Sequence, residues 1–237
     1  MEGNTEAIVR LAWARVLGLP DDALTEPADG LITHASDELI MFVRLWRHEV
    51  LVGPTGVLDH VRASGGAELA DESHLLAMSR SWGGRLLGRA TLAFRDEYVE
   101  LEGLESVSVT DDPVAVLDLE KACPPDDVAE VGLAEMSRAL VTLNELDQPT
   151  AGAGYAEWEQ IIAHLGVLTP PPFRRRGFGL LSAALATNEA LDVGLVPQWR
   201  SRIENTASRR TAARLGFVEV GSQTTVLLAP PATQLSK

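Results

Sequence analysis

The 237-residue chain predicts a mixed α/β fold. Three observations carry that expectation. Runs of β-forming residues alternate with segments whose apolar side chains recur at helical spacing. Glycines and prolines punctuate the changes from one to the other. An apolar content of 46% is enough to bury one sizeable core or two modest ones.

The elements follow in chain order. In "TEAIVRLAWARVLGL" Ile8, Leu11, Ala12 and Val16 lie at helical spacing, and Gly18 with Pro20 closes the helix. Strands are expected in "LIMFVRLWRHEVLVGP", which stops at Gly53-Pro54, and "TGVLDHVRA" then reads as a helix ending at the Ser64-Gly65-Gly66 turn. "LLAMSRSWGGRLLGRATLAF" reads as a hairpin-like pair turning at Gly83-Gly84. "LESVSVT" is a strand, "DPVAVLDLEKA" a helix with Asp112 as N-cap and Pro113 in its first position, and "PPDDVAEVGLA" a further helical turn or two. "RALVTLNEL" and "TAGAGYAEW" flank a turn at "NELDQP". The apolar run "IIAHLGVLT" suits a central strand covered on both faces.

After that strand comes "TPPPFRRRGFGLL", followed by a helix with Leu180, Leu181, Ala184, Leu185 and Leu191 on its apolar face and an end near Gly194. Prolines donate no ladder hydrogen bonds, so they stop the strand at Thr169. The arginines therefore stand at a helix entrance, where the first amides lack intrahelical partners and the helix dipole adds positive charge. Gly177 and Gly179 carry no β-carbon to hold an anion away from those amides.

Charge points the same way. The chain has a formal net charge of −14, yet residues 174–214 hold eight arginines against Glu189, Asp192 and Glu204, a local excess of five positive charges. An acidic surface disfavours nucleic acid and anionic lipid, while one basic segment selects a compact polyanion. The arginine run also lacks the interleaved aromatics of a nucleic-acid strip. No Lys-Ser or Lys-Thr follows the glycines and the full Gly-x-Gly-x-x-Gly is missing, so neither a P-loop nor a dinucleotide turn is supported.

Other function classes are narrowed in turn. No run of eighteen apolar residues exists and "MEGNTEAIVRLAW" lacks a basic leader with an apolar core, so a cytoplasmic protein without a membrane segment is expected. The single Cys123 has no disulfide or zinc partner and reads as an inert thiol. His34, His48, His60 and His74 are scattered without ligand spacing, so no metal is expected.

Arg174-x-x-Gly177-x-Gly179 after an apolar strand resembles the pyrophosphate-binding signature of the GNAT superfamily of acyl-CoA-dependent N-acetyltransferases. "ENTASRRTAARLGFVEVG" is similar to that superfamily's next strand-to-helix element, with Asn205 and Ser208 in the cofactor-facing positions and Leu215-Gly216-Phe217 opening the following strand. The resemblance covers residues 105 to 228. It implies a twisted mixed sheet flanked by helices, with an additional N-terminal α/β segment. The expected divisions are residues 1–104, a scaffold or a wall of the acceptor site, 105–229, the acetyltransferase domain, and a tail at 230–237.

The resemblance also implies roles. Acetyl-CoA is the cosubstrate, with no metal. The strand at "HLGVLT" splays from its neighbour, and backbone near Val167, Leu168 and Thr169 pairs with the pantetheine arm like an added strand. Amides of Arg175, Arg176, Gly177, Phe178, Gly179 and Leu180 hold the pyrophosphate, and Arg174, Arg175 and Arg176 supply charge. A neutral amine attacks the acyl carbon directly, so no enzyme nucleophile is needed.

The tyrosine that many members place seven residues after the asparagine is here Ala212. Tyr155 or water is the remaining acid, and His164 or Glu157 the base, with packing and solvated-surface readings for the same residues kept beside these roles. Trp158 and Trp199 read as core or cleft wall. An acidic acceptor side favours a cationic small molecule or a basic peptide amine. The competing reading is a catalytically silent acyl-CoA-binding module, kept open by Ala212. Oligomeric state is not legible.

Overall fold

The computed structural model describes residues 1–25, 30–64 and 68–229. The chain opens with helix α1 (Gly3–Val16), strands β1 (Leu31–Ala35), β2 (Leu39–Leu45) and β3 (His48–Gly53), and helices α2 (Thr55–Ser64) and α3 (Glu72–Met78). Next come β4 (Arg85–Phe94), β5 (Ser108–Thr110), α4 (Pro113–Lys121), α5 (Pro125–Val131), β6 (Arg138–Leu143), β7 (Pro149–Trp158) and β8 (Ile162–Leu168). The remainder is α6 (Phe178–Asp192), β9 (Val196–Arg202), α7 (Thr206–Arg214) and β10 (Val218–Leu227).

These elements form two compact units that are not consecutive in sequence. One comprises Met1–Ala12, Ala93–Arg200 and Ala207–Val218, the other Trp13–Leu92, Ser201–Thr206 and the chain from Glu219 onward. The tail expected at 230–237 and the expected glycine turn after α2 lie outside the described residues.

In the second unit the strands run in the order β1-β3-β2-β10-β4. β2 and β3 form an antiparallel hairpin, β10 pairs antiparallel with β2, and β1 lies parallel to β3. The core gathers Ile40, Phe42 and Leu51 from the strands with Val57, Val61 and Leu75 from α2 and α3. One expectation is corrected here. The segment before Gly83-Gly84 is not the first arm of a hairpin but α3 followed by a 3-10 turn at Arg80–Trp82. The reason is local: the Asp71 carboxylate accepts from the His74 amide at 2.9 Å, capping a helix that a short apolar run alone does not distinguish from a strand.

The first unit carries the strands β9-β8-β7-β6-β5 in that order. β5 through β8 are antiparallel neighbours, and β8 is parallel to β9. β5 is shorter than expected, because Leu104–Ser106 form a 3-10 turn and only Ser108–Thr110 pair. Period-two alternation sends successive residues to opposite faces. Ala153, Tyr155, Ala163 and Leu165 therefore meet Ala183, Ala184, Ala186 and Ala190 of α6 on one face. Leu168 and Val141 meet Val116, Leu119 and Leu133 on the other, under α4 and α5.

As its sequence predicts, α4 starts at Asp112, whose carboxylate accepts from the Val114 amide at 2.9 Å. The first turn of α6 is pinned over the β6–β7 hairpin by buried hydroxyls. Thr142 Oγ1 lies 3.1 Å from Thr150 Oγ1 and 3.0 Å from Ser182 Oγ, which donates to the Phe178 carbonyl at 3.1 Å. Burial leaves these hydroxyls no water to turn to, so they fix where α6 begins. Among the described residues no helix is long and apolar enough to cross a membrane.

Candidate anion-binding site at the start of α6

Between Leu168 and Phe178 the chain reverses through Pro170, a 3-10 turn at Pro171–Phe173, and the three arginines. The turn closes with the Phe173 amide on the Pro170 carbonyl at 2.9 Å and the Arg174 amide on that of Pro171 at 3.3 Å. Arg175 (φ 62°) and Gly177 (φ 91°) then adopt left-handed conformations. Alternation in the sign of φ along a short stretch can tip successive amides to one side, the backbone form of a concave anion seat.

The next amides to find intrahelical acceptors are those of Leu180 and Leu181, on the Gly177 carbonyl at 3.0 and 3.1 Å. Among the described residues no acceptor is found for the five consecutive amides from Arg175 to Gly179. No acidic residue sits in the first turn of this 15-residue helix. Gly179 lets α6 approach the strand end, since a β-carbon there would lie 2.6 Å from Thr169 Oγ1, whereas a β-carbon at Gly177 would point into open space.

The three arginines differ. Arg174 is spent on the protein, its Nη2 donating to Asp127 of α5 at 2.5 Å and its Nε to the Thr169 carbonyl at 2.9 Å. Arg176 lies against two rings, 5.8 Å from the centroid of Phe173 and 5.3 Å from that of Phe178, which themselves meet edge to face. Arg175 is exposed and no ion pair is found for it among the described residues. Phe178, Gly179 and Leu180 are half-buried, and the arginines and Gly177 are exposed.

The strand leading to this loop parts from its neighbour. β8 and β9 pair only at Ile162↔Val196, Ala163↔Pro197 and His164↔Gln198, although both strands continue. Val167 packs toward the α6 core and Leu168 toward α4, so from Leu165 onward it is backbone that faces the gap.

The residues expected to move protons are placed as follows. His164 stands at the last paired rung, half-buried, its ring stacked on Trp158 with centroids 4.4 Å apart. Gln198 Nε2 lies 3.2 Å from its Nδ1. Burial, with the Arg200 charge adding to it, pushes its pKa down to about 3. Tyr155 is 4% exposed within the α6 core, its pKa raised by burial and then by Glu189 and Glu157. Glu157 is exposed and its amide donates to Ser137 Oγ at 3.2 Å.

Asn205 is exposed immediately before α7, and Ser208, in its first turn, accepts from Trp199 Nε1 at 2.9 Å. Ala212 is 5% exposed in the α6 core cluster, so α7 offers no ionisable group at that position. No group of three or more His, Cys, Asp or Glu placed to hold a metal is found among the described residues. Sequence reasoning missed Asp127 and Gln198, whose partners lie 47 and 34 residues away. It also missed the ring clasp around Arg176, for which the signal is the two phenylalanines that flank the run in "FRRRGF" within five residues of each other.

No protein-family model matches the chain, and no curated protein matches it by sequence. Solved structures do resemble it. A GNAT-family protein from Novosphingobium aromaticivorans aligns with a TM-score of 0.50 at 19% identity, over 63% of this chain and 69% of its own. A GCN5-related N-acetyltransferase-like protein from Streptococcus suis aligns with a TM-score of 0.50 at 18% identity, over 81% of this chain and 84% of its own.

Proposed function

From the premise that this chain has the GNAT fold, we propose that it transfers an acetyl group from acetyl-CoA to a primary amine. One observation carries the reading: five adjacent amides without acceptors, at the N-terminus of a long helix, beside a strand that has left its partner. That set fits a pyrophosphate with an extended arm. Acetyl-CoA supplies an activated acyl carbon with a thiolate leaving group.

The chain's own groups do the rest. Amides of Arg175 to Gly179 receive the pyrophosphate oxygens, while Arg175 and Arg176 add charge that needs no proton to move. Arg174 braces the loop through Asp127. The edge of β8 that faces away from β7, from Leu165 to Leu168, offers backbone donors and acceptors to the arm, about 13 Å of strand between the loop and His164. Tyr155, sealed under α6 with a raised pKa, is packing in this reading and not the acid. Glu157, exposed on β7 opposite Ala163, lies on the α6 side with Tyr155 and away from His164, so in this reading water takes the proton of the attacking amine and water protonates the thiolate. The acidic chain favours a cationic acceptor.

The test is calorimetric titration with acetyl-CoA and CoA beside a thiol-release assay over polyamines, aminoglycosides, amino acids and peptide amines. Binding with thiol release is expected. No binding would reject the reading outright. A second reading, a silent acyl-CoA-binding module, is favoured by the burial of Ala212 where a proton donor would stand, and tight binding without release to any amine would select it.

A further inference from the structure

His164 carries a constraint that the acyl-transfer scheme above leaves unused. Its Nδ1 faces Gln198 Nε2 at 3.2 Å, and Gln198 is fully buried. An amide nitrogen only donates, so Nδ1 must accept, and the neutral ring then carries its proton on Nε2. For the Nε2–H no acceptor is found among the described residues, and the residue is half-buried, not sealed. Since Ala163 and Leu165 face α6, alternation puts His164 on the opposite face, at the last rung before β8 and β9 part. Trp158 covers one side of the ring, which prevents it from turning away.

We infer that Gln198 is a positioning residue that fixes His164 as the neutral Nε2–H tautomer, so that the histidine serves acyl transfer as a hydrogen-bond donor to the developing oxyanion and not as the base. A neutral imidazole N–H stabilises negative charge on oxygen without giving up its proton, so no proton has to be replaced after turnover. The surroundings agree: the charged neighbour is Arg200, which opposes an imidazolium, and Gln198 and Trp158 are uncharged. The catalytic half of the inference rests on the acetyltransferase reading. The tautomer does not.

Long-range proton–nitrogen NMR of ¹⁵N-labelled protein decides the tautomer, with His164 assigned by the signal missing from H164Q. A protonated Nε2 beside an unprotonated Nδ1 at pH 7.5 is expected, persisting at pH 5.5 where an ordinary histidine is mostly charged. Q198E should reverse the tautomer, because a carboxylate accepts from Nδ1–H. A protonated Nδ1 in the wild type, or a charged ring at pH 5.5, would overturn the assignment.

Kinetics decide the role. H164Q and Q198L should each lower kcat about 10²-fold with KM for acetyl-CoA within about twofold, and the ascending limb of the pH–rate profile should survive in H164Q. Loss of that limb would make His164 the base and sink the donor role. If the wild type turns over no amine, the acetyltransferase reading and the donor role fall together, and the spectrum still judges the tautomer.

Discussion

The two ends of α6 are treated in opposite ways. At its C-terminal end the protein answers most of its own polar groups, Glu189 Oε2 excepted. The Asn188 amide grips Val99 through both backbone atoms, at 2.7 and 3.0 Å, Tyr98 donates to Asp192 at 2.7 Å, and Arg138 joins Glu189 at 2.5 Å to Asp111 at 2.7 Å. Gly194, at φ 80°, closes the helix, and the Leu195 amide returns to the Ala190 carbonyl at 2.9 Å. At the N-terminal end no acceptor is found among the described residues for five amides. Both ends face water, and only one has been finished. An unfinished helix start with nearby positive charge is a place for something else to bind, whereas a finished end is scaffold.

The contrast is sharpest when the two ends are damaged separately. Gly177→Val forces a β-branched residue to φ 91° and plants atoms in the concave seat. Calorimetry should show CoA affinity falling at least about 100-fold, with circular dichroism unchanged; retained affinity would remove the loop from the site. Asn188→Ala at the other end leaves the Val99 amide and carbonyl without partners, a loss of about 2 kcal/mol that lowers Tm by several degrees. CoA affinity should stay within about twofold of wild type, and a large loss would mean the ends are not independent.

A smaller effect discriminates by its sign. Asp127→Asn frees Arg174 from its ion pair. If Arg174 braces the loop, affinity for CoA drops about threefold. Tighter binding would instead make Arg174 a phosphate ligand that Asp127 holds back.

The smallest effect is at the finished end. Hydrogen bonding to Asp192 raises the Tyr98 pKa above its ordinary value of 10.0. A group with a raised folded pKa contributes stability fully below its unfolded pKa and loses it as pH rises through the folded one. Tyr98→Phe should therefore lower Tm slightly at pH 8, with the difference from wild type shrinking only once pH rises beyond 10 and through the raised folded value. An equal gap at every pH would assign it to packing alone.

Legibility in the sequence follows the range of the interaction. The Asp112 cap, the β6–β7 hairpin and the proline stop before α6 rest on neighbours a few residues apart, and each was readable. The α3 cap is equally local, yet its apolar run reads as a strand, because periodicity over so few residues supports either element. Arg174 illustrates the opposite limit. Its sequence context offers charge for an anion, and its commitment to Asp127 and the Thr169 carbonyl exists only once α5 and the loop are brought together.

What the sequence by itself determined is therefore the form of the helix start after β8. Prolines that cannot pair, glycines that can turn left-handed, and a helix that must begin with unpartnered amides are properties of covalent structure, and they act wherever that segment folds. What only the tertiary structure decided is how that helix start and its neighbours are arranged. It selected which arginines remain available, sealed Tyr155 and Ala212 in a core, and set Gln198 against His164. These outcomes depend on burial and on partners from distant strands and helices, and desolvation and hydrogen-bond pairing are set by the packed environment and not by the residue's own chemistry.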